Sequence, residues 1–474
     1  MMNSIKPVSV ITLAFAVAGA IAGPLVPPSG PPSSTAKPLS DIEPRTAINA
    51  TNTPGDAGSM FRIVSSGSYY LVDNISVDPG KFAVRAVVPG VTLDLNGFNI
   101  HGDRLAAAID FQSDSSVFGG TIGPIGSMGD IGEGSIARGL VVRLIGGFVS
   151  LSERSIVSEC VLDFGTSISQ GSRLLLRDGA VLKYSHVRGV ERLTVEPLAT
   201  VSHTVVCRVG SLELGDDSRL DTCRVLELAG NISGQDRVRV SDTLIDSLLS
   251  FGDNYTAGFG EETQWTRVRL LSREQAAATF ARRSILTGCT FVGANSVVTN
   301  NRPGVRMGEG AVVRGSVFAD FYDEALEVGR GSVVTDCSFT RSGGAVTAFS
   351  GSVITGNSVS EMRFRAFQIR GTFLADNSVF LDDGIAILCD GGSRITNNTV
   401  TGASIRLQGA GSVVDMNRVK TSIGPSIEAA AAGNVVIRNQ LTGGPITTVP
   451  GNTVAATVDA ATLDSAGPFA NIAY

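Results

Sequence analysis

The 474-residue chain is short of several things, and each shortage closes off a class of protein. It has five lysines, Lys6, Lys37, Lys81, Lys183 and Lys420, and a formal net charge of -6, so it lacks the basic stripe that tracks a phosphate backbone. Nucleic acid is therefore not an expected partner. The three histidines, His101, His186 and His203, lie well upstream in the chain, and there is neither a Cys-x-x-Cys nor a Cys/His cluster. No zinc or other metal site, and no cofactor, is expected from such spacing. A nucleophile elbow, a phosphate loop, a metalloprotease helix and a calcium nonapeptide repeat are likewise missing. Beyond residue 22 no apolar run approaches the roughly 18 residues of a membrane span, so none is expected in the mature chain.

What is abundant is repetition. "GSVVTDCSF" (residues 331–339) is followed by "GSVITGNSV" (residues 351–359), and related nonapeptides start at Gly310, Gly371, Gly392, Gly411 and Gly433. The steps between the leading glycines are 21, 20, 20, 21, 19 and 22. The fourth place is aliphatic throughout (Val313, Val334, Ile354, Leu374, Ile395, Val414, Val436), and the ninth is Phe318, Phe339, Val359, Val379, Val400, Val419 and Leu441. A further short segment follows in each period ("ALEV", "AVTA", "AFQI", "GIAI", "SIRL", "SIEA"), apolar at its second and fourth residues. That is the alternation of a half-buried strand.

Short strands without intervening helices cannot build βαβ units, but they can wind into a coil in which each strand pairs with its counterpart one period later, about 4.8 Å away. The predicted fold is all-β: a single-stranded right-handed parallel β-helix of roughly 14–18 coils of about 20–21 residues. The leading glycine supplies a positive-φ turn in every coil. The seventh place, Asn357, Asn377, Asn398, Asn417 and Asn439, is expected to form an amide ladder at a second, left-handed turn. Cys289 and Cys337 share that place, and equivalent places two coils apart are about 9.6 Å apart, beyond disulfide reach. Buried free thiols are the expectation, with Cys207 and Cys223 left open as a pair.

At the N-terminus Lys6 precedes the apolar residues 8–22, which close on Ala20, Ile21 and Ala22. This is the layout of a signal peptide, residues 1–22, and implies a secreted, periplasmic or cell-surface protein. Residues 23–44 hold seven of the eighteen prolines, so residues 23–58 are read as a Pro-rich linker and lead-in. The β-helix is assigned to residues 59–474. An insertion is expected near residues 250–283, where "FGDNYTAGFGEETQW" and the helix-like "REQAAATFARR" interrupt the pattern.

"EPRTAINATNTPGDA" (residues 43–57), "SGSYYL" and "VTLDLNGF" (residues 91–98) resemble the opening of secreted bacterial right-handed parallel β-helix repeat proteins. "AGPFANIAY" (residues 466–474) resembles their ending. That group is a largely uncharacterised part of the pectate-lyase-like superfamily. The resemblance implies fold and export and carries no established activity. "NNRPGVR" (residues 300–306) resembles the Arg-x-Pro-x-x-Arg signature of pectate lyases but is one residue short. "LDDGIAI" (residues 381–387) resembles the Asp-Asp-Cys-x-Ala-Ile stretch of polygalacturonases, without that family's Asn-Thr-Asp or Gly-His-Gly.

Aligning coils on Leu326, Val346, Phe367 and Ile385 places Glu324, Gly344, Arg365 and Asp383 in one outward column. Glu324 and Asp383 would then be about 14 Å apart, outside the roughly 5–9.5 Å of a glycosidase pair, and Arg365 would pair with Asp383 one coil away. Tyr322, Glu324, Phe364, Arg365, Asp382 and Asp383 are the candidate glycan-contact residues. The favoured function is a non-catalytic exported solenoid that binds extracellular polysaccharide or contributes to the cell surface. The alternative is a diverged polysaccharide lyase or glycoside hydrolase acting on acidic polysaccharide.

Overall fold

Each regular period lays down three short strands, as in Val333–Thr335, Ser338–Thr340 and Gly344–Ala348. In a computed structural model that describes residues 45–474 apart from 167, 169–170, 248–256, 273–277, 295–302 and 462–466, these strands stack into three lanes. Lane 1 pairs Val334 with Ile354, lane 2 pairs Phe339 with Val359 and lane 3 pairs Val346 with Phe367, all parallel. The result is an all-β parallel solenoid of about 18 turns. Residues 1–44, which hold the expected signal peptide and most of the linker, lie outside the described residues.

The repeat explains the core. The aliphatic fourth place is the inward residue of lane 1 and the ninth is the inward residue of lane 2, and all fourteen side chains are at most 2% exposed. Between Leu270 and Val359 lane 2 is filled by rings: Phe291, Phe318 and Phe339 stack at 5.2 and 5.0 Å, with Trp265 5.9 Å from Phe291. The leading glycines turn the chain from lane 3 to lane 1 with φ from 59° at Gly371 to 81° at Gly433.

The asparagine ladder is present and fully buried. Nδ2 of Asn357, Asn377, Asn398 and Asn417 donates to Oδ1 of the next rung at 2.9 to 3.0 Å. Its turn differs from expectation in one respect. The left-handed residue is the one before each asparagine, such as Asp376 (φ 59°), Asn397 (55°) and Met416 (56°). The amides therefore serve as hydrogen-bonding spacers and not as the backbone's left-handed corner. All six cysteines are free, which settles Cys207 and Cys223 as separate thiols.

The ladder ends out of sequence. Asn439 donates to Asn471, which sits in the C-terminal strand Asn471–Ala473. That strand slots between Gln440–Thr442 and Thr457–Asp459, so the end of the chain doubles back to cap lane 2. Its Oδ1 accepts from both the amide N (3.0 Å) and Nδ2 (3.1 Å) of Asn439. Asn471→Ala is expected to cost about 1–3 kcal/mol, since it strands the buried amide N of Asn439, whose Nδ2 keeps Val414 O and Ile437 O as acceptors. An unshifted urea midpoint would show that the cap adds nothing.

The stretch expected to break the pattern keeps it wherever it is described. Ala257–Phe259, Gln264–Thr266, Arg269–Leu271 and Ala278–Phe280 are strands of ordinary turns, so the helix-like reading of "REQAAATFARR" is corrected at its strand residues. Leu244 pairs with Arg269 and Thr290 with Val317, so these turns are longer than their neighbours, and the extra residues fall among 248–256 and 295–302, outside the described residues. Among the described residues no helix is long and apolar enough to cross a membrane.

Candidate functional site

Lane 3 carries the residues singled out in the sequence. Glu324, Gly344 and Arg365 are in register on successive turns, as expected. The next rung differs: Phe367 pairs with Ile387, so Ile385, and not Asp383, stands beside Arg365. The small inward residues Ala325, Ala345, Ala366 and Ala386 mark the true register, and a bulge between Ile385 and Ile387 restores the alignment to the following turn. Arg365 consequently turns the other way. Its Nη2 lies 2.7 Å from Glu324 Oε1, two turns back, crossing Gly344. A Cβ on Gly344 would come within 3.2 Å of Glu324 Cγ, so the glycine makes room for this crossing.

The expected Arg365–Asp383 pair is thereby replaced by Arg365–Glu324, which spans the column's gap. Asp382 and Asp383 are exposed in the bend before the strand. Tyr322 lies under the Arg363 guanidinium, 4.9 Å from ring centroid to Cζ, and Phe364 is exposed. The candidates thus fall into two contacts, Glu324–Arg365 and Tyr322–Arg363, flanked by an exposed ring and two carboxylates.

Arg306 of the "NNRPGVR" segment lies in the strand Val305–Met307 and is paired with Glu327 at 3.0 Å, while residues 300–302 lie outside the described residues.

A second site, on lane 1, was not anticipated. Strands Val181–Lys183, Thr200–Ser202, Arg219–Asp221 and Arg239–Ser241 each turn the middle residue inward and the flanking two outward. Stacking then builds one outward column of Thr200, Arg219 and Arg239, and another of Lys183, Ser202, Asp221 and Ser241. At the turn that follows, Tyr184 (φ 50°) and His203 (φ 49°) occupy the left-handed place that Gly356, Asp376 and Asn397 fill further along. A bulky ring is disfavoured there. The two rings pack at 4.8 Å on the rim of a groove of about 440 Å³.

The groove carries three cationic side chains, Lys183, Arg219 and Arg239, against one carboxylate, Asp221. Arg219 and Arg239 are like charges on adjacent turns, about 4.8 Å apart along the lane, and neither forms an ion pair among the described residues. Asp217, the carboxylate they act on, is taken by Arg237 at 2.9 Å. The hydrogen bonds from Arg237 hold the Asp217 carboxyl below its ordinary range; burial opposes this, and the charges of Arg237, Arg239 and Arg219 add to the lowering. Asp221 accepts from Ser241 Oγ. The sequence did hold a signal: "VLKYS", "TVSHT", "RLDTC" and "RVSDT" are copies of one unit, and reading them in register stacks these side chains.

Upstream on lane 3, Asp110 and Asp130 are in-register neighbours in a groove of about 500 Å³ that also holds Glu133, Glu153 and Arg177. Each carboxylate of the pair is already occupied. Asp110 is paired with Arg85 at 2.8 Å, and Asp130 Oδ1 accepts from Gly132 N at 2.9 Å and from Ser152 Oγ at 2.6 Å. Among the described residues no group of three or more His, Cys, Asp or Glu side chains is placed to hold a metal ion.

No protein-family model matches the chain, and no curated protein matches it. Among solved structures it is similar to a mannuronic-acid-specific family 6 polysaccharide lyase from human gut microbiota, at 11% identity over 85% of this chain and 82% of that one, with a TM-score of 0.28. It is also similar to a tailspike protein variant of E. coli bacteriophage HK620 in complex with a pentasaccharide, at 11% identity over 92% and 79%, with a TM-score of 0.29. A third similar structure is the Dettilon tailspike protein, at 12% identity over 87% and 62%, with a TM-score of 0.20.

Proposed function

We propose that this chain is an exported solenoid that binds acidic polysaccharide along its flank without turning it over. The observation that carries the reading is the lane 1 groove, where Lys183, Arg219 and Arg239 converge beside the Tyr184–His203 ring pair. An exposed ring offers a face to the C–H side of a pyranose, and guanidinium groups take carboxylates in paired, planar contacts. Because the two columns run along the axis, a linear polymer lying parallel to it meets Lys183, Arg219 and Arg239 on different turns of the same lane. The lane 3 face of Tyr322, Glu324, Phe364, Arg365, Asp382 and Asp383 is the second contact region, with mixed charge suited to hydroxyl groups.

Absence of turnover is supported by the engagement of Asp110 and Asp130 with their own neighbours. Calorimetry with oligogalacturonate and with a neutral glucan tests the binding. Arg219→Ala and Arg239→Ala are each expected to weaken oligogalacturonate binding about tenfold or more, with the loss shrinking as salt is added. Arg365→Ala probes the lane 3 face in the same assay. Equal affinity for the neutral glucan, or wild-type affinity in both lane 1 variants, would remove the groove from consideration. Accumulation of unsaturated product or reducing ends would overturn the non-catalytic part.

A further inference from the structure

Five of the six cysteines face the core. Cys160, Cys223, Cys289 and Cys337 lie at the inward turn between lanes 1 and 2, and Cys389 lies on the inner side of lane 3; all five are buried. Burial pushes the Cys223 thiol up to about 12 and those of Cys289 and Cys337 up to about 11. Such thiols are inert packing.

Cys207 differs in place and company. It occupies an outward position of the lane 2 strand Val205–Val209 and is half-buried. Its Sγ lies 3.4 Å from Nε2 of His186, on the preceding turn. Arg188 is its in-register neighbour on that same turn, and Arg208 follows it in sequence. The carboxylates facing it are Asp163, in register with Arg188, and Glu227, which Arg208 holds at 2.9 Å. Burial raises the thiol; Arg188 and Arg208 oppose this, while Glu227 and Asp163 reinforce it. A thiol so placed needs a base to become a nucleophile at neutral pH, and the imidazole within reach is that base.

We propose that Cys207 and His186 form a thiol–imidazole pair that takes up a small carboxylate-bearing disulfide by thiol–disulfide exchange. His186, with its own proton on Nδ1, accepts the Sγ proton at Nε2. The sulfur then attacks one sulfur of the disulfide, whose S–S bond breaks as the new Sγ–S bond forms. The other half leaves as a thiolate and recovers the proton from His186. Cys207 ends oxidised in a mixed disulfide, and the released half ends reduced to a thiol. Arg188, beside the reacting sulfur, supplies the attraction for a carboxylate on the incoming molecule.

The test uses the whole protein with the chromogenic dicarboxylate disulfide DTNB and, for comparison, uncharged dithiodipyridine. The folded protein is expected to release one chromophore per chain rapidly, with the mixed disulfide mapped by mass spectrometry to the peptide containing Cys207. Cys207→Ser should release none on that timescale. His186→Gln should slow the reaction about tenfold or more and flatten its pH dependence. Arg188→Gln should erase the advantage of DTNB over dithiodipyridine, with circular dichroism unchanged in all three variants. Rapid modification mapped to another cysteine, or a His186→Gln rate equal to wild type at every pH, would overturn the proposal.

Discussion

Phe318→Ala is expected to lower the stability of the solenoid by about 3–5 kcal/mol. The ring is fully buried and lies between two others, Phe291 at 5.2 Å and Phe339 at 5.0 Å, nearly parallel to both. In a solenoid the spacing of such a stack is set by the backbone ladder, so the flanking rings cannot close on the gap. The full cavity cost therefore remains, whereas a globular core could relax part of it away. Phe318→Leu, which refills most of the volume and has leucine precedent at Leu270 and Leu441 of the same lane, should cost no more than about 1.5 kcal/mol. A second comparison sharpens the point. Trp265 is fully buried, and its Nε1 has no hydrogen-bond partner. Trp265→Phe should therefore come close to neutral, because the lost volume is offset by removal of an unsatisfied donor. Equilibrium denaturation in urea reads all three. A Phe318→Ala midpoint within error of wild type would mean that the rings stack without contributing.

That core could be read from the sequence, because lanes 1 and 2 obey a fixed count: the glycine turn, the fourth place and the ninth place recur with the same offsets in seven consecutive periods. Lane 3 resisted for the opposite reason. The loop leading into it varies in length, so "GIAI" aligned as well with "AFQI" as the true partner "AILC" did, and the two-residue slip moved Asp383 into a column that Ile385 occupies. The stacked alanines, Ala325, Ala345, Ala366 and Ala386, hold the better register, since a small inward residue is needed where the chain enters the strand. The C-terminal cap was hidden because Asn471 joins the ladder from outside the period, through a strand that doubles back. The lane 1 groove went unread although its copies are regular, because its side chains differ from turn to turn: outward positions carry no packing constraint, and only register shows which of them meet.

Asn377→Ala is expected to cost about 1–3 kcal/mol for each buried donor it strands. Asn377 is 2% exposed, and its Oδ1 accepts from the amide N (3.0 Å) and Nδ2 (2.9 Å) of Asn357. Its Nδ2 donates to Ile354 O, Ala375 O and Asn398 Oδ1, at 3.1, 2.7 and 2.9 Å. Alanine leaves two donors of Asn357 facing a dry gap, and the rungs on either side lose the dipoles that polarise them. Asn377→Asp separates this loss from mere loss of volume. The acceptor oxygen is retained, but the second oxygen would face three others, Ile354 O, Ala375 O and Asn398 Oδ1, with no donor among them. The folded state should then favour the protonated acid, raising the folded pKa above the unfolded value of about 3.9. Between those two values the folded chain binds more protons than the unfolded one, so the penalty grows as pH rises and shrinks as pH falls toward 4. Measured against wild type at each pH, the deficit of Asn377→Asp should be largest at neutrality and partly recovered in acid, while that of Asn377→Ala stays level. If the two variants instead run parallel across pH, the amide is solvated and the ladder is not a dry network.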